Sequence, residues 1–69
     1  MEAYQQRVVD EKAELDAKMV RLHGFIAMSP VFAGLDSVER VLLHRQGYAM
    51  RVYSEILGKR IAAFTAKVG

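Results

Sequence analysis

Apolar residues along this chain fall into two helical patterns separated by a short uncharged stretch. In the first pattern Val8, Leu15, Met19, Leu22 and Ile26 lie on one 4-3-4-3 stripe, with Lys12 as its single polar member. That period places all of them on one face of a helix. No proline interrupts residues 2–28, and Gly24 is the only glycine there. The pattern predicts a helix of about 25 residues within about 2–28, roughly 38 Å long at 1.5 Å per residue. Glu14 with Lys18, and Arg7 with Glu11, stand at the i, i+4 spacing that favours ion pairs along a helix surface.

An elbow over residues 29–36 follows. Ser29-Pro30 reads as a cap followed by a first-turn proline, and Gly34 is free to take a positive φ. Asp36 and Glu39 have the spacing of a capping box, with Asp36 in the place usually held by Ser or Thr. A second helix is then predicted from 37 to about 67.

This second helix carries two apolar stripes. Val38, Leu42, Ala49, Val52, Ile56 and Ala63 follow one; Leu43, Met50, Tyr53, Leu57, Ile61 and Phe64 follow its neighbour. In a two-helix hairpin each helix needs only one apolar stripe, so the second requires another partner. The fold expected is all-α: one domain spanning 1–69, an antiparallel two-helix hairpin that homodimerises into a four-helix bundle. Its core and dimer seam would comprise Val8, Leu15, Met19, Leu22, Ile26, Leu42, Met50, Tyr53, Ile56, Leu57, Ile61 and Phe64. Gly47 and Gly58 lie three turns apart on one side of the second helix. They mark either a close approach of another backbone or a solvent face that tolerates glycine.

Composition narrows the function. The chain has 69 residues, 52% hydrophobic and 26% charged, with a net charge of +2 and no cysteine. A chain of this size has little room for a deep pocket, and it has neither a disulfide nor a thiolate metal site to supplement a small core. The first ten residues carry Glu2, Arg7 and Asp10 rather than an apolar signal core, so a cytoplasmic location is expected. No apolar run is long enough to span a membrane.

Catalytic chemistry is hard to assemble. The five glycines are too scattered for a phosphate-binding loop, and Ser29, Ser37, Ser54 and Thr65 have no histidine and carboxylate nearby in sequence. Asp10, Glu11, Glu14 and Asp16 are spread over several faces among Arg7, Lys12 and Lys18, the pattern of a solvated helix surface. The hairpin brings His23 and His44 to similar heights, but neither has a second ligand one turn away on its own helix. No catalytic residue, metal or cofactor is expected.

Charge is divided unevenly. Residues 1–16 hold five acids against two bases, whereas residues 17–69 hold eight bases against three acids. Arg40, His44, Gly47, Arg51 and Gly58 share one face of the second helix, which could meet an acidic protein surface or a phosphate, or could simply be solvated. The elbow is apolar where turns are usually polar: Phe25, Ile26, Met28, Val31, Phe32 and Leu35 either plug the end of the bundle or form a docking patch. Arg40, His44, Arg51 and Phe32 are the candidate partner-binding residues.

Three segments carry a resemblance: YQQRVVDEKAELDAK at Tyr4 to Lys18, F-x-x-L-x-x-x-E-R at Phe32 to Arg40, and Q-x-x-x-M-x-x-Y-S-x-x-L-x-x-R-I at Gln46 to Ile61. Together they resemble a family of very small helical proteins encoded by phages and prophages, among them anti-quorum-sensing anti-activators of Mu-like Pseudomonas phages. The resemblance implies a non-enzymatic dimer of helical hairpins that inhibits host proteins by binding them. It further implies, as targets, the DNA-binding domain of a LuxR-type quorum-sensing activator and the type IV pilus assembly ATPase. The motifs coincide mostly with seam positions and so carry the fold further than the target. Two other classes stay open: a small nucleic-acid-binding or transcriptional accessory protein using Arg40, Arg51, Lys59 and Arg60, and a structural bundle module of a phage complex. Nucleic-acid binding is not expected, given the low net charge and the lack of a recognition helix.

Overall fold

A computed structural model describes residues 1–65, which form three helices: α1 (Ala3–Met28), α2 (Pro30–Ala33) and α3 (Ser37–Thr65). The expected helical segment 66–67 lies outside the described residues. α1 opens with the Glu2 backbone N–H donating to Gln5 Oε1 at 2.9 Å. It ends where Ser29 turns extended, its N–H still bonded to the Phe25 carbonyl.

The elbow is more ordered than a loop. Ser29 Oγ accepts from the Val31 N–H at 3.2 Å and Pro30 occupies the first turn, so α2 is a single capped turn. Gly34 closes it at φ −86° through bonds to the Pro30 and Val31 carbonyls, not at the positive φ expected. The tight turn of α2 already reverses the chain, so no left-handed residue is required. Asp36 Oδ1 caps α3 by accepting from the Val38 N–H at 2.8 Å, while the reciprocal bond from Glu39 is not made. The capping box is therefore half formed.

α1 and α3 run antiparallel along a body about 54 × 16 × 15 Å. Tyr4 meets Phe64 edge to face at 5.7 Å at one end, Asp16 meets Ser54 mid-way, and Leu22 reaches Gly47 nearer the elbow. Val8, Leu15 and Leu57 are buried, with Met19, Met50, Ile61 and Phe64 packed around them. Leu57, at 1% exposure, is the most enclosed of these. Each buried aliphatic side chain contributes about 1.5–3 kcal/mol.

The facing stripe of α3 is Leu43, Gly47, Met50, Ser54, Leu57, Ile61 and Phe64, an unbroken 4-3 alternation. Tyr53, expected in this stripe, stands 43% exposed beside it, and Ser54 takes the inward place. The reason is the period: the heptad continues through residues that are not apolar, just as Lys12 continues it on α1. Lys12 Nζ pairs with Asp16 Oδ2 at 2.7 Å, and Ser54 Oγ donates to Asp16 Oδ1 at 2.5 Å. The pair forms here because Asp16 is also anchored across the hairpin. The expected Glu14–Lys18 and Arg7–Glu11 pairs are not made among the described residues; fully solvated, they have little to gain.

Gly47, in the stripe, and Gly58, beside it, both face α1 side chains. A Cβ on Gly58 would meet Lys12 Cε at 3.3 Å, and one on Gly47 would meet Leu22 Cδ2 at 3.5 Å. What approaches each glycine is a side chain of α1, neither another backbone nor open solvent, so both readings of the pair are corrected. The other stripe of α3 stays bare: Val38, Leu42, Ala49, Val52 and Ile56 are exposed.

Candidate functional site

At the elbow end, α1 and α3 flank an open hollow of about 460 Å³. α1 contributes His23 and Ile26, and α3 contributes His44, Gly47, Tyr48 and Arg51. The 4-3 stripe explains the floor: Ile26 and Gly47 are seam positions, and glycine there removes the side chain that would otherwise fill the space. His44, Tyr48 and Arg51 follow each other at i+4 and i+3, so they line one flank of α3.

The rings in the wall are braced from behind. Phe25 packs edge to face on Phe32 at 5.9 Å, and Phe32 on His44 at 5.6 Å, carrying contact from α1 through the elbow to the site. Phe32 is half-buried, whereas Met28 and Val31 point outward at 84% and 62% exposure. The elbow thus divides its residues between plug and exposed patch. The Arg51 guanidinium lies 5.1 Å from the Tyr48 ring centroid, a cation–π contact that presents its charge at the rim.

Of the candidate binding residues, His44 and Arg51 come together in the hollow, with Phe32 as their support. Arg40 does not join them. Its Nη1 donates to the Ala33 carbonyl at 2.9 Å, which holds α2 against α3. His23, Tyr48 and Ile26 complete the lining; the sequence offered His23 through its matched height with His44 and Ile26 through the apolar elbow, whereas Tyr48 carried no signal.

The chemistry is that of anion recognition. One guanidinium, two imidazoles and a phenol offer donors and flat faces, and no carboxylate lines the space. Among the described residues, no group of three or more His, Cys, Asp or Glu is gathered to hold a metal ion. Away from the hollow, the Lys12 ammonium, and then the Ser54 hydroxyl, hold the Asp16 carboxyl below the usual carboxylate range. No described helix is long and apolar enough to cross a membrane.

Comparison with known proteins adds the family. The Sequestin family model matches residues 2–63. The chain belongs to the Sequestin family. A relative from Enterobacteria phage T4, the uncharacterized 7.5 kDa protein in the denB-rIIB intergenic region, is 42% identical over 64 residues, 93% of this chain and 98% of that protein. No solved structure matches. The Sequestin match runs through α1, the elbow and most of α3, so it includes every residue of the hollow. Family and relative together place the chain among small phage-encoded proteins. The name Sequestin points to binding and holding a partner rather than to turnover.

Proposed function

We propose that this protein is a non-enzymatic sequestering agent that acts in the cytoplasm of the infected cell and inhibits by stoichiometric capture. The observation that carries the reading is the hollow between α1 and α3, basic, ring-lined and free of carboxylates. Its volume lies in the range of small-ligand sites. The target supported best is a small anionic molecule with a flat ring: the anionic group would sit against Arg51 and the imidazoles, and the ring against Tyr48. We take the working unit to be a homodimer of hairpins, because one apolar stripe of α3 stands exposed among the described residues.

A protein target is the second reading, favoured by the exposed Met28 and Val31 next to the basic rim. The resemblance noted in the sequence supplies its candidates, the DNA-binding domain of a LuxR-type activator and the type IV pilus ATPase. In this form an acidic side chain of the host protein would enter the hollow while the elbow covers apolar surface.

Titration calorimetry with phenyl phosphate, nucleoside mono- and diphosphates and inorganic phosphate separates the two. Saturable binding of a ring-bearing phosphate, lost in Arg51→Glu with an unchanged circular dichroism spectrum, supports the small-ligand reading. Silence with every probe, together with retention of the activator or the ATPase on the tagged protein, supports the second.

A further inference from the structure

The outer stripe of α3 has a composition and a charge pattern that select one particular occupant. Val38, Leu42 and Ile56 are 64%, 49% and 52% exposed, and with Ala49 and Val52 they fall on one side of the helix. Near the elbow the same side carries a shallow groove lined by Ser37, Val38, Val41, Leu42 and Arg45. The chain exposes 5231 Å². A compact monomer of its mass exposes about 4,400 Å² by the usual scaling. The excess is close to the ~800 Å² that each partner contributes to a standard interface.

We propose that this stripe binds the same stripe of a second copy, with the two α3 helices antiparallel about a two-fold axis level with Met50. The inference rests on the homodimer reading above and adds its surface and orientation. Charge selects the direction. Arg45 and Glu55 stand five residues either side of Met50; Arg45 lies within the stripe, seven residues from Val38 and from Val52, and Glu55 on the flank beside it, while on the opposite flank Arg60 and Glu39 stand at nearly matching distances. A two-fold axis perpendicular to the helices brings like flanks together. Arg45 then lies level with the partner's Glu55, and Arg60 with the partner's Glu39, each pair occurring twice. Side by side in parallel, the helices would set opposite flanks together and leave Arg45 without an acid at its height. None of these four side chains has an ion-pair partner among the described residues, and all are exposed. Ala49, the small residue nearest the axis, lets the backbones approach where the helices cross. Tyr48, at the rim of the hollow, stands seven residues from Glu55 on the same flank of α3, so the partner helix would run beside the hollow.

The chain has no cysteine, so single cysteines report the geometry directly. Under mild oxidation of the full-length protein, Ala49→Cys should cross-link to a dimer and Val38→Cys should not, because the antiparallel arrangement separates the two copies of residue 38 by more than 30 Å at about 1.5 Å per residue. Equal cross-linking at both positions would overturn the antiparallel orientation. In light scattering, Ile56→Glu should raise the dissociation constant at least roughly tenfold, because it leaves a charge unpaired in a covered face. Arg45→Glu and Glu55→Arg should each weaken the dimer, and the two together should restore it. A wild-type dimer that Ile56→Glu leaves intact would overturn this surface alone. A wild-type monomer at micromolar concentration would overturn the homodimer reading with it.

Discussion

Gly47 and Gly58 stand three turns apart on α3 and both face α1, yet the two ends of the hairpin use them differently. At Gly58 the space is filled: the Lys12 stem crosses the backbone and its ammonium closes onto Asp16, which Ser54 holds from the other helix. At Gly47 the neighbours are Leu22 and the edge of His23, and beyond them the surface opens into the basic hollow. The same residue type, once in the seam at Gly47 and once beside it at Gly58, therefore opens one end and closes the other. What differs is the residue opposite. A long, flexible lysine with a carboxylate in reach fills its gap, whereas a histidine ring ends short and leaves room for a ligand.

The contrast can be broken most completely from the closed end. Leu57→Asp places an unpaired charge in the best-enclosed position and should cost roughly 3–5 kcal/mol. For so small a core that is enough to abolish the cooperative melt by circular dichroism. Ser54→Ala should cost about 1 kcal/mol through its lost hydrogen bond, and so lower the melting temperature by about 4–8 °C, without touching the hollow. Acid should act on the same contact. Asp16 titrates below its unfolded value, so its stabilising effect is complete above about pH 4–5 and is lost as pH falls through the depressed folded value. The melting temperature of Asp16→Asn should therefore fall less steeply between pH 5 and pH 2 than that of the wild type, by roughly the part this carboxylate supplies.

The smallest effects sharpen the comparison most. Gly47→Ala meets only ordinary contacts, so its gain in helix propensity, up to about 1 kcal/mol, should raise the melting temperature. Gly58→Ala must displace Lys12 Cε from 3.3 Å and should gain less. The Gly47 variant also puts a methyl on the wall of the hollow. It should melt higher and bind its ligand more weakly, a combination that calorimetry and melting curves together would reveal.

Most of the backbone was legible in the residues. The α1 stripe, the Ser29-Pro30 cap and the restart at Asp36 are all local signals, and helix ends depend on groups within a turn of each other. The inward face of α3 was only partly legible, because three seam positions, Lys12, Gly47 and Ser54, are not apolar. A periodicity built on hydrophobic residues passes over them and favours Tyr53 instead. The site was legible in pieces. Arg51, His44 and the matched height of His23 could be read from spacing, but the separation of Arg40 from them could not. Arg40 is diverted by the Ala33 carbonyl, an acceptor whose position exists only after α2 has turned.

By itself the sequence determined two long amphipathic helices, a capped elbow between them and an apolar stripe on α3 in excess of what a hairpin uses. These follow from the 3.6-residue period and from capping groups, both set by neighbours along the chain. Only the tertiary structure decided which stripe of α3 faces α1, how the carboxylate of Asp16 joins the two helices, and where the hairpin stays open to form the hollow. Those outcomes depend on which side chains meet across the seam, and that is fixed by the antiparallel register rather than by either helix alone.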